Sequence, residues 1–256
     1  MTKVLLVIGA GAGIGGHVAK RFAQAGYHTA LCRRSDQNGL DELVAEINDT
    51  GASATGHLLN AVDQDAIENL VTQIEADVGP IHVALYNLGS QIGSRPLEAT
   101  TLKQFELGWR MGAFGLFRLA KTLFPMMAQR QGGTLLVTSA TASVRGNAGQ
   151  HSHSASMGAR RMLCQTLNAE FASRGIHVAH ILIDGAVDAP DTLGKMLGRE
   201  RFQQLRETRG LEQDGLLLPA QIAETYYHLA HQHRSAWTHE LDLRAYSDLA
   251  WWNHTP

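Results

Sequence analysis

The sequence predicts an α/β fold, a doubly wound parallel sheet flanked by helices, in a single domain over residues 1–256. Three observations carry that prediction. Short apolar runs alternate with longer amphipathic stretches from the first residues to about Ile183. The first of these runs, Val4–Ile8, does not alternate polar with apolar residues, as a strand buried on both faces requires. No Pro/Gly/Ser-rich linker, repeat or low-complexity tract breaks the series.

Taken in order, Val4-Leu5-Leu6-Val7-Ile8 reads as the first strand, and Ile14 to Ala25 follows with helical spacing. His28–Cys32, Ala54–Leu59, Ile81–Tyr86, Thr134–Thr138 and His177–Ile183 read as further strands. Helical patterns lie between them near 40–49, 64–78, 101–130 and 154–173. Strand, helix and strand at this pitch imply parallel strands joined by right-handed crossovers. The rhythm changes after Gly185. Residues 188–216 are polar, helical in part from Thr192 to Arg209, and stand where such folds often carry a substrate lid. Pro219 opens a helix to about His231, with Pro in the first turn. Glu240 to Arg244 reads as a last strand. Trp251 and Trp252 are expected to pack on the domain or on a neighbouring subunit, since two exposed indoles form a sticky patch.

Composition excludes several classes of function. A 44% hydrophobic content excludes disorder, and Lys+Arg 22 against Asp+Glu 24 leaves no basic excess for nucleic acid or an anionic membrane. Thirteen histidines will make the charge more positive below about pH 6.5. Cys32 and Cys164 cannot build a multi-bridge framework, which fits a reducing, cytoplasmic location. Val4–Ile8 is far shorter than the roughly 20 apolar residues of a membrane span or the roughly 7 of a signal segment.

The first strand runs into Gly9-Ala-Gly-Ala-Gly13-Ile14-Gly15, where a helix begins. A turn this tight needs residues free to adopt positive φ and lets the backbone approach a pyrophosphate. The helix N-terminus aims unpaired N–H groups and a partial positive charge at the same anion. The context, between a buried strand and a helix, points to dinucleotide binding. The alternative is a tight turn that binds nothing.

The spacing of Gly9, Gly13 and Gly15 resembles that of the short-chain dehydrogenase/reductase family, and the resemblance extends over roughly residues 3–244. Tyr86-Asn87-Leu88-Gly89 stands where the family writes N-N-A-G. Gly175-Ile-His-Val-Ala-His-Ile matches its G-I-x-V-x-x-I, and Pro219-Ala-Gln-Ile-Ala with Trp237-Thr238 echoes its C-terminal signals. The resemblance implies a Rossmann-type fold and a nicotinamide cofactor held by Gly9, Gly13, Ile14, Gly15, Asn87 and Gly89. After the second strand an acidic residue would accept the ribose hydroxyls of NAD; this chain has Arg33 and Arg34. Guanidinium forks suit a 2′-phosphate, so the resemblance implies NADP(H) in preference to NAD(H). The competing reading is a pair of solvated arginines. Asn60 replaces the family's usual Asp beside the adenine, and Ile8 replaces a Thr that braces the glycine turn.

In this family hydride moves between the nicotinamide and a carbonyl or alcohol carbon. A Tyr passes the proton, a Lys four residues later lowers its pKa, a Ser polarises the oxygen and an Asn holds a relay water. Aligned on Ser154-Ala155-Ser156, the Tyr position is His153 and the Lys position is Met157. Ala140 stands where the Ser falls, and Gly112 where the Asn belongs. Ser139 is expected to point away unless a bulge turns it inward. Positioned acids and bases are worth about 10²–10⁴ in rate, so losing this set removes much of the usual chemistry. The sequence leaves three readings: a cofactor-binding protein with a degenerate site, a reductase using His153 as imidazolium donor at pH 6–7 with Ser139, or a scaffold for interactions.

Other signals are weaker. His228, His231 and His233 read as helix-end histidines, and no metal site is expected. Arg161 is expected in an ion pair rather than at the ribose. Gly108, Gly112 and Gly115 suggest close packing against another helix. By resemblance, helices 101–130 and 154–173 imply a homodimer; Asp242-Leu-Arg244 in place of the family's D-G-G makes a tetramer doubtful.

Overall fold

The computed structural model describes residues 2–89 and 93–253. Seven strands form one parallel sheet: β1 (Val4–Ile8), β2 (His28–Arg33), β3 (Ser53–Leu58), β4 (Ile81–Tyr86), β5 (Gly133–Ala140), β6 (Ile176–Ile183) and β7 (Glu240–Leu243). Their order is β3-β2-β1-β4-β5-β6-β7. The chain winds outward from β1 in one direction and from β4 in the other. A crevice therefore opens at the carboxyl ends of β1 and β4, the topological switch point where such sheets bind ligands.

Helices cover both faces. Leu5 and Val7 join the apolar layer of α1 (Ile14–Gln24), α2 (Gln37–Asn48) and α9 (Pro219–Ala230). Val4, Leu6 and Ile8 join that of α3 (Ala66–Asp77), α5 (Gly115–Gln129) and α6 (His151–Phe171). This is the single-domain α/β sandwich that unbroken apolar strands predict. Strand β2 runs one residue further than expected, so Arg33 is its last residue.

The helix expected over 101–130 is interrupted. α4 (Leu102–Trp109), capped by Thr101 and Gln104, gives way to a wide turn of π geometry at Arg110–Phe114 before α5 begins. Within that turn the Met111 carbonyl accepts from the Tyr86 hydroxyl and the Gly112 carbonyl accepts from Arg160. Apolar periodicity continues through the turn, which is why sequence spacing reads it as one helix. The small residues act as expected: a Cβ on Gly108 would strike Ser152 of α6, and one on Gly115 would strike the Tyr86 hydroxyl.

After β6 the chain forms a second wide turn at Pro190–Gly194, a short α7 (Lys195–Leu197) and α8 (Arg199–Arg209). The base of this segment is pinned by Val187 and Leu217, with Asp188 N–H donating to the Leu217 carbonyl at 2.9 Å. Arg206 pairs with Asp188 and Arg209 with Asp248, both at 2.7 Å. At the C-terminus Trp251 is half-buried, its N–H donating to Asp184 at 3.0 Å, while Trp252 stays exposed.

Candidate functional site: a cleft at the carboxyl ends of β1 and β4

A cleft of ≈ 460 Å³ opens at the switch point. Gly9, Gly13, Ile14, Gly15, Arg33, Arg34, Asn87 and Gly89 all line it, so eight of the nine sequence-predicted cofactor residues converge. Asn60 does not: its side-chain amide donates to Asp63 at 2.7 Å. Val187, Ala189, Asp191, Thr192 and Lys195 bring the segment after β6 onto the same cleft.

The floor is the glycine turn. Gly9 has φ +101, and a Cβ there would lie 2.9 Å from the Asn87 carbonyl oxygen. Gly15 is confined by space: a Cβ would overlap the Gly9 carbonyl oxygen and lie 3.0 Å from Asn87 Nδ2. Asn87 ties the two strand ends together. Its backbone N–H donates to the Ile8 carbonyl and its Nδ2 to the Gly9 carbonyl, both at 2.9 Å. The turn leaves the amides of the first turn of α1 facing the cleft, a cradle suited to an anion.

Arg33 supplies the bracing that Ile8 cannot. Its Nε donates to the Ala10 carbonyl at 2.8 Å, and its Nη1 lies 2.5 Å from Asp36 Oδ2. Asp36 caps α2, and the Gly39 N–H first, then Arg33, hold its carboxyl below the usual range. Two edges of the Arg33 fork are thus committed to the protein. Arg34 is exposed on the cleft rim and makes no ion pair among the described residues. Lys195, which sequence reading missed, lines the same cleft 3.8 Å from Asp191. The cleft therefore fits a dinucleotide: a glycine cradle at its floor, with Arg34 and Lys195 as cations and Asp36 and Asp191 as carboxylates around it.

The positions of the expected catalytic groups lie around Arg160, which was also missed. Ser139 corrects one expectation. β5 pairs regularly with β6 through Ala140, so ordinary alternation turns Ser139 toward α6, with Oγ 3.8 Å from Met157 Sδ. No bulge is needed, and the partner of this buried hydroxyl is the Met157 thioether. His153 corrects another. Burial first, and the Arg160 charge second, push its imidazole down to about 4. That holds it neutral at pH 6–7, against the imidazolium the sequence suggested.

Arg160 is the largest fully buried side chain. Its Nε donates to the Gly112 carbonyl at 2.7 Å, Nη1 to Thr138 at 2.5 Å and Nη2 to Leu88 at 2.8 Å. Those carbonyls belong to the π turn and to the ends of β5 and β4, so one side chain clamps three walls of the site. Its neighbour Arg161 instead pairs with Glu240 through two bonds of 2.7 Å, as expected of it. Two adjacent arginines on one helix are indistinguishable by pattern; only tertiary placement separates them.

Elsewhere, His231 meets the Tyr27 hydroxyl and the Tyr227 carbonyl, and His233 meets Ser235. Among the described residues no helix is long and apolar enough to cross a membrane.

Comparison with known proteins agrees with this architecture. Residues 3–192 match the family model described as short chain dehydrogenase. A 2-dehydro-3-deoxy-D-gluconate 5-dehydrogenase from Formosa agariphila is 28% identical over 69% of this chain and 66% of its own length. A short-chain dehydrogenase from Rhodopseudomonas palustris superposes with a TM-score of 0.79 at 29% identity, covering 95% of this chain and 99% of its own. An alcohol dehydrogenase from Thermococcus sibiricus, complexed with 5-hydroxy-NADP, shares the fold at TM-score 0.80 and 23% identity, over 97% of this chain and 99% of its own. Residues 3–192 span β1 to β6, the glycine turn and all of the cleft lining but Lys195, and the chain belongs to the short-chain dehydrogenase/reductase family of oxidoreductases.

Proposed function

We propose that this chain binds NADP(H) in preference to NAD(H) and has little of the family's usual carbonyl or alcohol redox activity. The observation that carries the proposal is a phosphate cradle in a chain that lacks the family's acid and base. Gly9, Gly13 and Gly15 form the cradle, rimmed by Arg34 and Lys195. The positions of the expected Ser, Tyr, Lys and Asn hold Ala140, His153, Met157 and Gly112. The dinucleotide of a relative binds hydride at its nicotinamide; what this chain's own residues do is bind and orient.

Each residue's part follows from its contacts. The α1 amides and Gly9 turn would hold the pyrophosphate. Arg34 and Lys195 would hold a 2′-phosphate, which carries more than one negative charge. Arg33 keeps the turn in shape. Ala189 and Thr192 would cover the cofactor from the segment 188–216, which acts as a lid. With Met157 as neighbour and a neutral imidazole at 153, neither of these two positions delivers a proton to an alkoxide near neutral pH. Positioning alone still accelerates hydride transfer, so a low residual rate is consistent with the reading.

The test combines binding with turnover. NADPH should bind while supporting at most slow reduction of a panel of aldehydes, ketones and acyl thioesters. Brisk turnover that is abolished in His153→Phe would overturn the degenerate-site reading and restore His153 to the chemistry.

A further inference from the structure

A buried charge normally has a buried counter-charge, and Arg118 obeys that rule. It lies under the loop after β3 and pairs with Glu68 through two bonds, of 2.8 Å and 2.5 Å, besides bonding the Ala61 and Asp63 carbonyls. Arg160 breaks it. The guanidinium is 1% exposed and its three bonds all go to neutral carbonyls. Among the described residues no carboxylate pairs with it: Glu240 is held by Arg161 and Asp184 by Arg244.

The other groups facing Arg160 do not neutralise it. Tyr86 lies beneath the guanidinium with its ring centre 5.2 Å away, and burial pushes its phenol up to about 12. Burial likewise pushes the Cys164 thiol up to about 12 and raises the Tyr226 phenol. His153 and His180 are both pushed down to about 4, burial being the main cause for each. All five are uncharged at neutral pH; burial lowers the Arg160 guanidinium from its ordinary range, but a guanidinium keeps its proton. A full positive charge therefore stands inside the protein, bonded to the carbonyl of Leu88, and Leu88 lines the cleft.

We propose that Arg160 makes this cleft selective for the reduced dinucleotide, by presenting a buried, unneutralised positive charge behind Leu88 at the cleft wall beyond the carboxyl end of β4. The proposal rests on the NADP(H)-binding reading above. Oxidised nicotinamide carries a positive ring and reduced nicotinamide a neutral one, and the two forms are otherwise nearly the same shape. A fixed charge whose field passes through protein rather than water penalises only the former. Acting across a nucleotide-sized cleft at an effective dielectric near 20, one unit charge shifts a binding constant by about tenfold. Such a site with no proton relay would read the reduced cofactor rather than consume it.

The test is a set of calorimetric titrations at pH 7 with NADPH, NADP+ and 2′-phospho-ADP-ribose, which lacks the nicotinamide. The wild type should bind NADPH about tenfold more tightly than NADP+. Arg160→Lys, which keeps the charge, should keep the preference. Arg160→Met should bring the two forms to similar affinity while 2′-phospho-ADP-ribose binds as to the wild type. Arg160→Gln, which retains donors for the carbonyls, gives the same comparison if the Met variant does not fold. Equal affinities in the wild type, or a preference that survives in a folded neutral variant, would overturn the proposal and leave nucleotide binding intact. Failure of all three ligands to bind the wild type would overturn both.

Discussion

Replacing Gly15 with Ala tests whether the glycine turn is held by space, as the structure shows. The new methyl group would overlap the Gly9 carbonyl oxygen and stand 3.0 Å from Asn87 Nδ2. The Gly9 oxygen is backbone and cannot swing aside, and the Asn87 amide is tied to that same oxygen. Ala gains up to about 1 kcal/mol of helix propensity over Gly. Overpacking against backbone costs about 1–3 kcal/mol, at the upper end where nothing yields. The net expectation is a loss of about 2 kcal/mol, or a fall in Tm of about 4–8 °C for a chain of this size. Opening the turn also displaces the amides that face the cleft, so NADPH affinity should fall by at least about tenfold, equivalent to 1.4 kcal/mol. Gly11→Ala is the control, since a Cβ there meets nothing within 4 Å. It should change stability by less than about 0.5 kcal/mol. Thermal melts and NADPH titrations on both variants decide the matter. If Gly15→Ala melts and binds like Gly11→Ala, the close approach of α1 to the Gly9 carbonyl is not what shapes the site.

Three further outcomes are expected. Asp36→Asn keeps a helix cap but frees the Arg33 fork, 2.5 Å away, and removes a negative charge from the cleft; NADPH affinity should rise several-fold and NADH affinity should not, by calorimetry. His153 and His180 are held at about 4 in the folded chain against about 6.5 unfolded, so the unfolded state takes up their protons first as pH falls. Stability from each is complete above about pH 6.5 and declines toward pH 4, by an order of 3 kcal/mol per histidine, and His153→Phe should flatten the fall of Tm across that window. Phe105, Trp109, Phe117 and Met162 are each at least 42% exposed on helices α4 to α6, the faces whose resemblance implies a homodimer. Light scattering should give twice the mass of 27.8 kDa for the wild type and a single mass for Phe117→Asp.

Much of the fold was legible because its strands are short, apolar and separated by amphipathic helices of ordinary length. The glycine turn was legible because tight geometry admits few residues, and Asn87 because it follows a buried strand. What escaped was tertiary. The turn at Arg110–Phe114 is invisible to periodicity, since it shifts the helix without ending its apolar face. Arg33 read as a phosphate ligand, and nothing in sequence shows its Nε committed to the Ala10 carbonyl. Ser139 was assigned the wrong face by assuming where the strand alternation begins. Arg160 carries no signal in the sequence, and only the three strand and helix ends brought around it mark it out. Lys195 belongs to a segment whose composition carries no chemical signature, and only its approach to the cleft marks it.

The most direct measurement is calorimetry of NADPH and NADH binding to the wild type and to Arg34→Ala. Arg34 is the cleaner probe, because Arg33 also braces the glycine turn. NADPH should bind more tightly than NADH, and the difference should shrink sharply in Arg34→Ala while NADH binding stays the same. Equal binding of the two cofactors, or no binding of either, would contradict the account.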